Sequence, residues 1–301
     1  MARAGGRATG LVLAVLAVIA ATAVILGVRG IGQLEEEGVL PTVDVPDLAL
    51  PDVDVPAVRI PLPDGDALPG APAEDALALA RAGRWDELVV ALASGLPPDP
   101  PLADRRSRTA LMYAAYSGHL DGARALLEAG AATERRDGGG MTALVLATDH
   151  HHFDVARLLL DRGADASAVS AEGGGTLNGP ARRGALVLVE RLLDGGADPD
   201  ASFRAGWRPL HYAAGGGHLA VVRRLLDAGA DLQAADDEGL DALMYAAGQG
   251  ELAVVAWLLE AGADPRRRAA DGRTAAEMAA AGGHDEVTTL LVARGSPAPG
   301  S

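Results

Sequence analysis

Hydrophobic and small residues recur along most of this chain with a period of 33 residues. Five similar segments begin at residues 109, 142, 208, 241 and 274, and they read TALMYAAYSGH, TALVLATDHHH, RPLHYAAGGGH, DALMYAAGQGE and TAAEMAAAGGH. A sixth, divergent copy, GTLNGPARRGA, begins at residue 175. One glycine keeps the same period in all six units: Gly130, Gly163, Gly196, Gly229, Gly262 and Gly295. A fixed period of this length indicates a chain built from stacked structural repeats.

Each unit predicts two short helices followed by a polar loop. Threonines such as Thr109 stand where a first helix would begin, and a threonine side chain accepts a hydrogen bond from the free amides of a first helical turn. Pro209 suits the first helical position, where its missing N–H costs nothing. The next segment places Leu219, Val222, Leu225 and Leu226 at helical spacing, which predicts one buried face. Gly229 then ends that helix in the left-handed conformation.

The order helix, turn, helix and loop resembles the ankyrin repeat. The motif T-P-L-H-x-A-A-x-x-G-H followed by L-L-x-x-G-A-D carries the resemblance, which covers residues 104–295 in six repeats. Residues 74–103 contain EDALALARAGRWDELVVALASG, which looks like a capping pair of helices, and residues 296–301 are predicted to be a disordered tail. The resemblance predicts an all-α ankyrin-repeat solenoid that binds proteins on a concave face made by the first helices and the loop tips, without catalysis.

One repeat departs from this pattern. Pro180 takes the place of a helical alanine, with Gly179 and Gly184 close to it. A proline in a helix interior removes a backbone hydrogen bond and clashes with the preceding turn. We therefore expect a shortened first helix here, capped by Asn178, and the softest joint of the stack. A functional irregularity and a merely degenerate repeat both account for the pattern.

The candidate partner-binding residues are those of the implied concave face with interface-forming side chains. Tyrosine, tryptophan and arginine dominate the energetics of protein interfaces. The candidates are Tyr113, Tyr116, Arg182, Arg183, Trp207, Tyr212 and Tyr245. Tyr113, Tyr212 and Tyr245 share a half-buried position of this repeat type, so packing is an alternative interpretation for them. Tyr116 occupies a more exposed position, and Trp207 is expected at a loop tip. Trp85 and Trp257 lie on second helices and are expected in the core.

The sequence gives little support for a catalytic or metal-binding site. The sequence contains no GxxxxGK, no HExxH and no nucleophile elbow, and the glycines of GGGH occupy turn positions of the repeat. We therefore expect no enzyme, no cofactor and no metal. The segment from His150 to Asp154 is the one alternative, since two histidines and a carboxylate are a known set of metal ligands. In that hypothesis the protein is a metal- or small-ligand-binding envelope protein.

Composition and charge restrict the partners further. The formal net charge is −15, and a field of that sign repels nucleic-acid phosphates, so no nucleic-acid partner is expected. There is no cysteine, which excludes disulfides and thiol catalysis. Lysine is absent, so all 26 basic side chains are arginine. With the excess of alanine and glycine, this composition is typical of a GC-rich, bacterial genome.

Residues 11–28, LVLAVLAVIAATAVILGV, carry no charge and are predicted to form a transmembrane helix. At about 1.5 Å per residue they span roughly 27 Å, close to the hydrocarbon core of a bilayer. Arg3 and Arg7 lie in residues 1–10 and three glutamates follow the segment, so the N-terminus is expected in the cytoplasm and the repeats on the periplasmic or extracellular side. The alternatives are a cleaved signal, which leaves the repeats secreted, and an inverted topology with a scaffold facing the cytoplasm.

Residues 29–73 are predicted to be an extended linker. Prolines every few residues preclude a helix or a central strand. From residue 33 to residue 75 there are eleven acidic side chains and one arginine, and their mutual repulsion favours an extended chain. The linker is interpreted as a passive spacer, although VDVP occurs twice and leaves a docking segment as the alternative.

Overall fold

The computed structural model describes residues 75–99 and 106–300. The predicted N-terminus, membrane segment and linker (residues 1–10, 11–28 and 29–73) lie outside them. The described residues form helices in pairs: α1 Ala76–Arg81, α2 Trp85–Ala93, α3 Ala110–Ser117, α4 Leu120–Glu128, α5 Ala143–Asp149, α6 Phe153–Asp161, α7 Asn178–Arg182, α8 Leu186–Asp194, α9 Pro209–Gly215, α10 Leu219–Asp227, α11 Ala242–Gln249, α12 Leu252–Glu260, α13 Ala275–Ala281 and α14 Asp285–Ala293. In this part of the chain no helix is both long and apolar enough to span a membrane.

Side chains at the predicted positions begin the first helices. Thr109, Thr142 and Thr274 each accept a hydrogen bond from the amide three residues later, at 3.2 to 3.3 Å. Asp241 does the same at 2.9 Å, so aspartate replaces threonine in that unit. Pro209 is the first residue of α9, as predicted. The repeat therefore fixes where each of these helices starts through one capping position.

The first helices pack on one another in series, and each contacts the second helix of its own unit. Leucines at the same position of successive first helices, such as Leu111, Leu144 and Leu210, are almost completely buried between neighbours. Alanines fill much of the remaining space in this layer. Because alanine has no side-chain bulk beyond Cβ, the helices approach closely and form one continuous core from unit to unit. The Trp85 and Trp257 rings are half-buried at its margin rather than inside it.

Short hairpins connect the units. Four of these loops are closed by an isolated antiparallel bridge, formed by the pairs Val169–Gly175, Phe203–Trp207, Ala235–Asp241 and Arg268–Thr274. Asp236 closes its loop through Oδ1, which accepts hydrogen bonds from the amides of Glu238 and Leu240 at 2.9 and 2.8 Å. Gly229 ends α10 with a φ of 96°, as predicted.

The divergent repeat has the short first helix that Pro180 predicts. Helix α7 has five residues, and its first α-type hydrogen bond runs from the Ala181 amide to the Leu177 carbonyl at 2.9 Å. Pro180 has no N–H, so the α-type hydrogen bond that would start the helix one residue earlier cannot form. The predicted cap is wrong, because Asn178 is inside the helix, 8% exposed, and its Oδ1 has no hydrogen-bond partner.

Candidate functional site

A groove of about 640 Å³ lies between the hairpin around residues 203–207 and the first helices α9 and α11. Pockets of this size accommodate a drug-sized molecule or a bulky side chain with its neighbours. The lining residues are Arg182, Phe203, Arg204, Ala205, Trp207, His211, Tyr212, Gly215, Gly216, Tyr245 and Gln249. Hereafter this hollow is called the aromatic groove.

Packed aromatic rings form one wall of the aromatic groove. The ring of Trp207 lies 5.0 Å from that of Tyr212 and 4.5 Å from that of Tyr245, both in tilted arrangements. The ring of His211 lies 5.5 Å from that of Tyr245. Tilted and edge-on contacts at these separations are the favourable ones for aromatic pairs. The rings hold one another in place, so the wall is preformed.

Two glycines leave the groove open. Gly215 is the last residue of α9 and Gly216 follows it, whereas the corresponding positions of an earlier repeat carry Tyr116 and Ser117. A Cβ added at Gly215 would meet only Cβ of Tyr245, at 3.7 Å, so its missing side chain is not required by packing. Of the three glycines in GGGH, Gly217 does adopt the left-handed turn conformation, with a φ of 71°. Gly216 also lies in the turn, so the expectation that all three glycines occupy it is wrong for Gly215 alone, which is the last residue of α9.

Phe203 is a groove residue that sequence reasoning missed. Its position in the repeat is that of Asp137 and Asp236, whose side chains accept hydrogen bonds from their own loops. In the groove hairpin the main chains of Phe203 and Trp207 instead form a close pair of hydrogen bonds, at 2.7 and 2.8 Å. Trp207 consequently stands at the base of the hairpin rather than at its tip. A large apolar residue where three other loops carry Asp137, Ser170 and Asp236 was the available signal.

Two arginines bring positive charge to the groove. Arg182 donates a hydrogen bond to Nε2 of His151 at 2.7 Å. Arg204 forms an ion pair with Glu172 at 2.5 Å, and its guanidinium lies 5.1 Å from the centre of the Phe203 ring. Because the Arg204 guanidinium donates a hydrogen bond to it, the pKa of the exposed Glu172 carboxyl is lowered.

His211 belongs to the scaffold although it borders the groove. Its Nδ1 accepts a hydrogen bond from the Arg208 amide at 3.2 Å, so Nε2 carries the proton and donates to the Ala234 carbonyl at 3.1 Å. The ring thus links the start of α9 to the next loop, and Glu277 makes the equivalent contact to the Thr274 amide. Burial lowers the pKa of His211, which is 1% exposed. With both nitrogens engaged, His211 is unsuited to act as a base.

The structure brings together four of the seven predicted partner-binding residues: Arg182, Trp207, Tyr212 and Tyr245. Tyr113 and Tyr116 lie elsewhere, with the Arg108 guanidinium 6.0 and 5.1 Å from their ring centres. Tyr116 is 43% exposed, as expected for its position. Arg183 is exposed and does not line the aromatic groove.

The histidine turn does not form a metal site. Consecutive backbone positions send its rings in different directions: His150 packs on the Tyr116 ring at 4.3 Å, His151 accepts from Arg182, and His152 donates from Nε2 to the Tyr116 carbonyl at 3.0 Å. Within residues 75–99 and 106–300, no three side chains of histidine, cysteine, aspartate or glutamate converge to hold an ion. The different directions of the rings therefore contradict the metal-binding alternative at His150 to Asp154.

Together, the serial helix pairs, the capped first helices and the hairpin loops define a helical-repeat solenoid, and the aromatic groove lies on it. The family model for ankyrin repeats (3 copies) matches residues 77–170 and 180–269, and the chain belongs to the ankyrin repeat family. Repeats of this family are generally protein–protein interaction modules and are typically non-catalytic scaffolds, and no enzyme family is indicated. The interval between the two matched ranges falls in the divergent repeat.

Solved structures agree with this assignment. The crystal structure of the human ASB11 ankyrin repeat domain is similar to this chain with a TM-score of 0.61 and 27% sequence identity. The similarity covers 74% of this chain and 98% of that domain. A comparison with curated protein sequences found no match.

Proposed function

We propose that this chain recognises a protein partner by taking a bulky apolar side chain of that partner into the aromatic groove. The observation that carries the proposal is the hollow itself: a preformed wall of Trp207, Tyr212 and Tyr245 beside a floor without side chains at Gly215 and Gly216. A polar-lined cleft with a free base and nucleophile would favour catalysis, and this lining has neither.

Physical arguments favour binding at this place over the other candidates. Interface hot spots concentrate in pockets where tryptophan, tyrosine and arginine become fully desolvated. The aromatic groove offers all three residue types around one hollow, whereas Tyr113 and Tyr116 lie under the Arg108 guanidinium. Because the ring wall is held by its own packing, little side-chain entropy is lost on binding.

Filling the groove tests this proposal. In Gly215→Leu the new side chain occupies the hollow, and in Gly248→Leu the same residue stands at the same position of the next repeat, where an added Cβ meets nothing within 4 Å. Affinity capture from the envelope fraction, quantified by mass spectrometry, is compared for the two variants and the original chain. We expect proteins captured by the original chain and by Gly248→Leu to be lost with Gly215→Leu. Equal capture by all three overturns the proposal.

We further propose that residues 11–28 anchor the chain in the membrane and place the repeats on the periplasmic or extracellular side. The support is the uncharged apolar run and the arginines before it, together with the negative charge that follows. A reporter enzyme that works only after export, fused at the C-terminus, tests the orientation. Activity in the membrane fraction is expected. A cytoplasmic reporter signal contradicts the orientation, and activity in the medium contradicts the anchor in favour of a cleaved signal.

The net charge of the whole chain argues for a protein partner rather than a nucleic acid. With a net charge of −15 the chain repels phosphate backbones at long range. No binding to duplex DNA or to single-stranded RNA is expected in an electrophoretic mobility assay at low salt, and a retarded band there contradicts this part of the proposal.

A further inference from the structure

We propose that the aromatic groove selects an acidic peptide segment, one in which a bulky apolar residue is followed or preceded closely by aspartate or glutamate. This inference rests on the proposed function, since it specifies what the groove recognises. Its basis is that, in a strongly acidic chain, this apolar hollow is lined by two arginines.

Arg182 and Arg204 are the charged side chains that line the groove, and among residues 75–99 and 106–300 no carboxylate lines it. They come from helix α7 and from the hairpin, so they belong to different elements of the fold. A group that enters the hollow therefore has cations beside it. A carboxylate is the group whose geometry a guanidinium fork matches with two parallel hydrogen bonds.

Arg182 keeps donors available for such a carboxylate. A guanidinium carries five N–H donors, and the hydrogen bond to Nε2 of His151 uses one of them. Its partner is a neutral acceptor, because burial lowers the pKa of His151 and the charges of Arg182 and Arg183 lower it further. The positive charge of Arg182 is thus not neutralised by this contact.

Arg204 is held by an exchangeable partner. Its ion pair with Glu172 is exposed on both sides, with side-chain exposures of 72% and 55%, and exposed pairs contribute little stability. The Phe203 ring holds the guanidinium at the mouth of the groove, 5.1 Å from the ring centre. A carboxylate that arrives together with a buried apolar group displaces Glu172 at low cost, because the apolar contact adds to the exchange.

The buried carboxylate behind Tyr245 forms its hydrogen bonds with groups other than the two arginines. Asp236 is 8% exposed, and its oxygens accept hydrogen bonds from the Tyr245 hydroxyl and from two amides of its own loop. It therefore serves to fix the groove wall. The partner's carboxylate does not compete with it for Arg182 or Arg204.

Selection from a random heptapeptide library displayed on phage tests the inference, with the full-length chain immobilised in mild detergent. Enriched peptides are synthesised and titrated against four variants. Gly215→Leu fills the groove, and Gly248→Leu is its control. The double variant Arg182→Glu and Arg204→Glu reverses the groove charge, and Arg183→Glu is the matched control for an exposed arginine outside the groove.

We expect the enriched peptides to combine phenylalanine, tryptophan or leucine with aspartate or glutamate within two positions. Their affinity should fall roughly tenfold or more on charge reversal and on groove filling, and should change less than twofold in both controls. Neutral or basic peptides that lose binding with Gly215→Leu but not on charge reversal overturn the acidic preference and leave the proposed function standing. Absence of any groove-dependent peptide also overturns this inference, whereas the capture experiment decides the proposed function separately.

Discussion

The Tyr245 hydroxyl donates a hydrogen bond to Oδ2 of Asp236 at 2.5 Å and so fastens the wall of the aromatic groove to the loop behind it. Burial, and then this hydrogen bond, raise the pKa of Tyr245, so the hydroxyl stays protonated as the donor. The tyrosine is therefore both a packing residue of its repeat and a positioned element of the groove. The two interpretations of its half-buried position are compatible.

Tyr245→Phe should lower the free energy of unfolding by about 1–2 kcal/mol, because it removes the hydroxyl donor to a buried carboxylate. Urea denaturation followed by circular dichroism measures the change. Tyr212→Phe is the matched control, since the Tyr212 ring also packs on Trp207 but the bond between Tyr245 and Asp236 stays intact. Equal losses in the two variants contradict a specific contribution from that bond.

Acid should destabilise the described repeats through His211. Burial lowers its pKa in the folded state below the usual 6.5, so the unfolded chain binds the proton more readily. The stability that this histidine contributes is therefore complete above about pH 6.5 and is lost as the pH falls through and below that value.

The urea midpoint at pH 7.5 and at pH 5.5 measures this effect. His211→Gln should show a smaller loss between the two values than the original chain, whatever its stability at pH 7.5. His218→Gln, which replaces a histidine that donates to the Arg182 carbonyl at 3.1 Å, is the control. If His211→Gln and the original chain lose the same stability, His211 is not the responsible group.

His151→Gly should stabilise the chain by about 1 kcal/mol. His151 has a φ of 63°, in the left-handed region that glycine adopts without strain, and the corresponding turn residues Gly118, Gly184, Gly217, Gly250 and Gly283 are all glycines. His151→Ala also removes the ring and its contact with Arg182 but keeps Cβ, so it should gain nothing. Thermal unfolding of both variants separates backbone relief from loss of the ring. A more stable alanine variant contradicts the explanation.

Gly179→Ala should lower the free energy of unfolding by about 1–3 kcal/mol, because a methyl group there overpacks the joint between α5 and α7. An ideal Cβ at this position lies 1.9 Å from the Thr148 carbonyl oxygen, and that atom is backbone and cannot turn away. Gly215→Ala adds the same methyl group at the end of α9 and meets only Cβ of Tyr245, at 3.7 Å. Urea denaturation that shows equal stabilities for the two variants contradicts the close approach.

The fold was predictable because each unit repeats the same local signals. Threonine caps and the left-handed glycine at Gly229 follow from short-range backbone chemistry, and their 33-residue period exposes them in sequence. Pro180 likewise predicted the short helix α7, since a missing N–H acts within one turn. Asn178 was misjudged because the helix begins at this residue, with Leu177 in the capping position, which placed the asparagine inside it.

The aromatic groove was only half predictable. Arg182, Trp207, Tyr212 and Tyr245 were found by residue type and repeat position, whereas Phe203 and Arg204 depend on how one hairpin folds over two helices. The groove is open at Gly215 and Gly216 because these residues have no side chains. The sequence alone does not distinguish glycines that form a turn from glycines that leave a groove open. The histidines at positions 150–152 show the opposite case. They are adjacent in sequence, but their rings contact different groups and do not converge.

The most direct measurement of partner recognition is site-specific photo-crosslinking in living cells. A benzophenone amino acid replaces Gln249, which is exposed at the groove, or Val187, which is 70% exposed on the second helix α8. We expect irradiation to give a discrete protein adduct from position 249 that disappears when Gly215→Leu is added, and none from position 187. Adducts from position 187 alone, or adducts from position 249 that persist in a filled groove, contradict recognition at the aromatic groove.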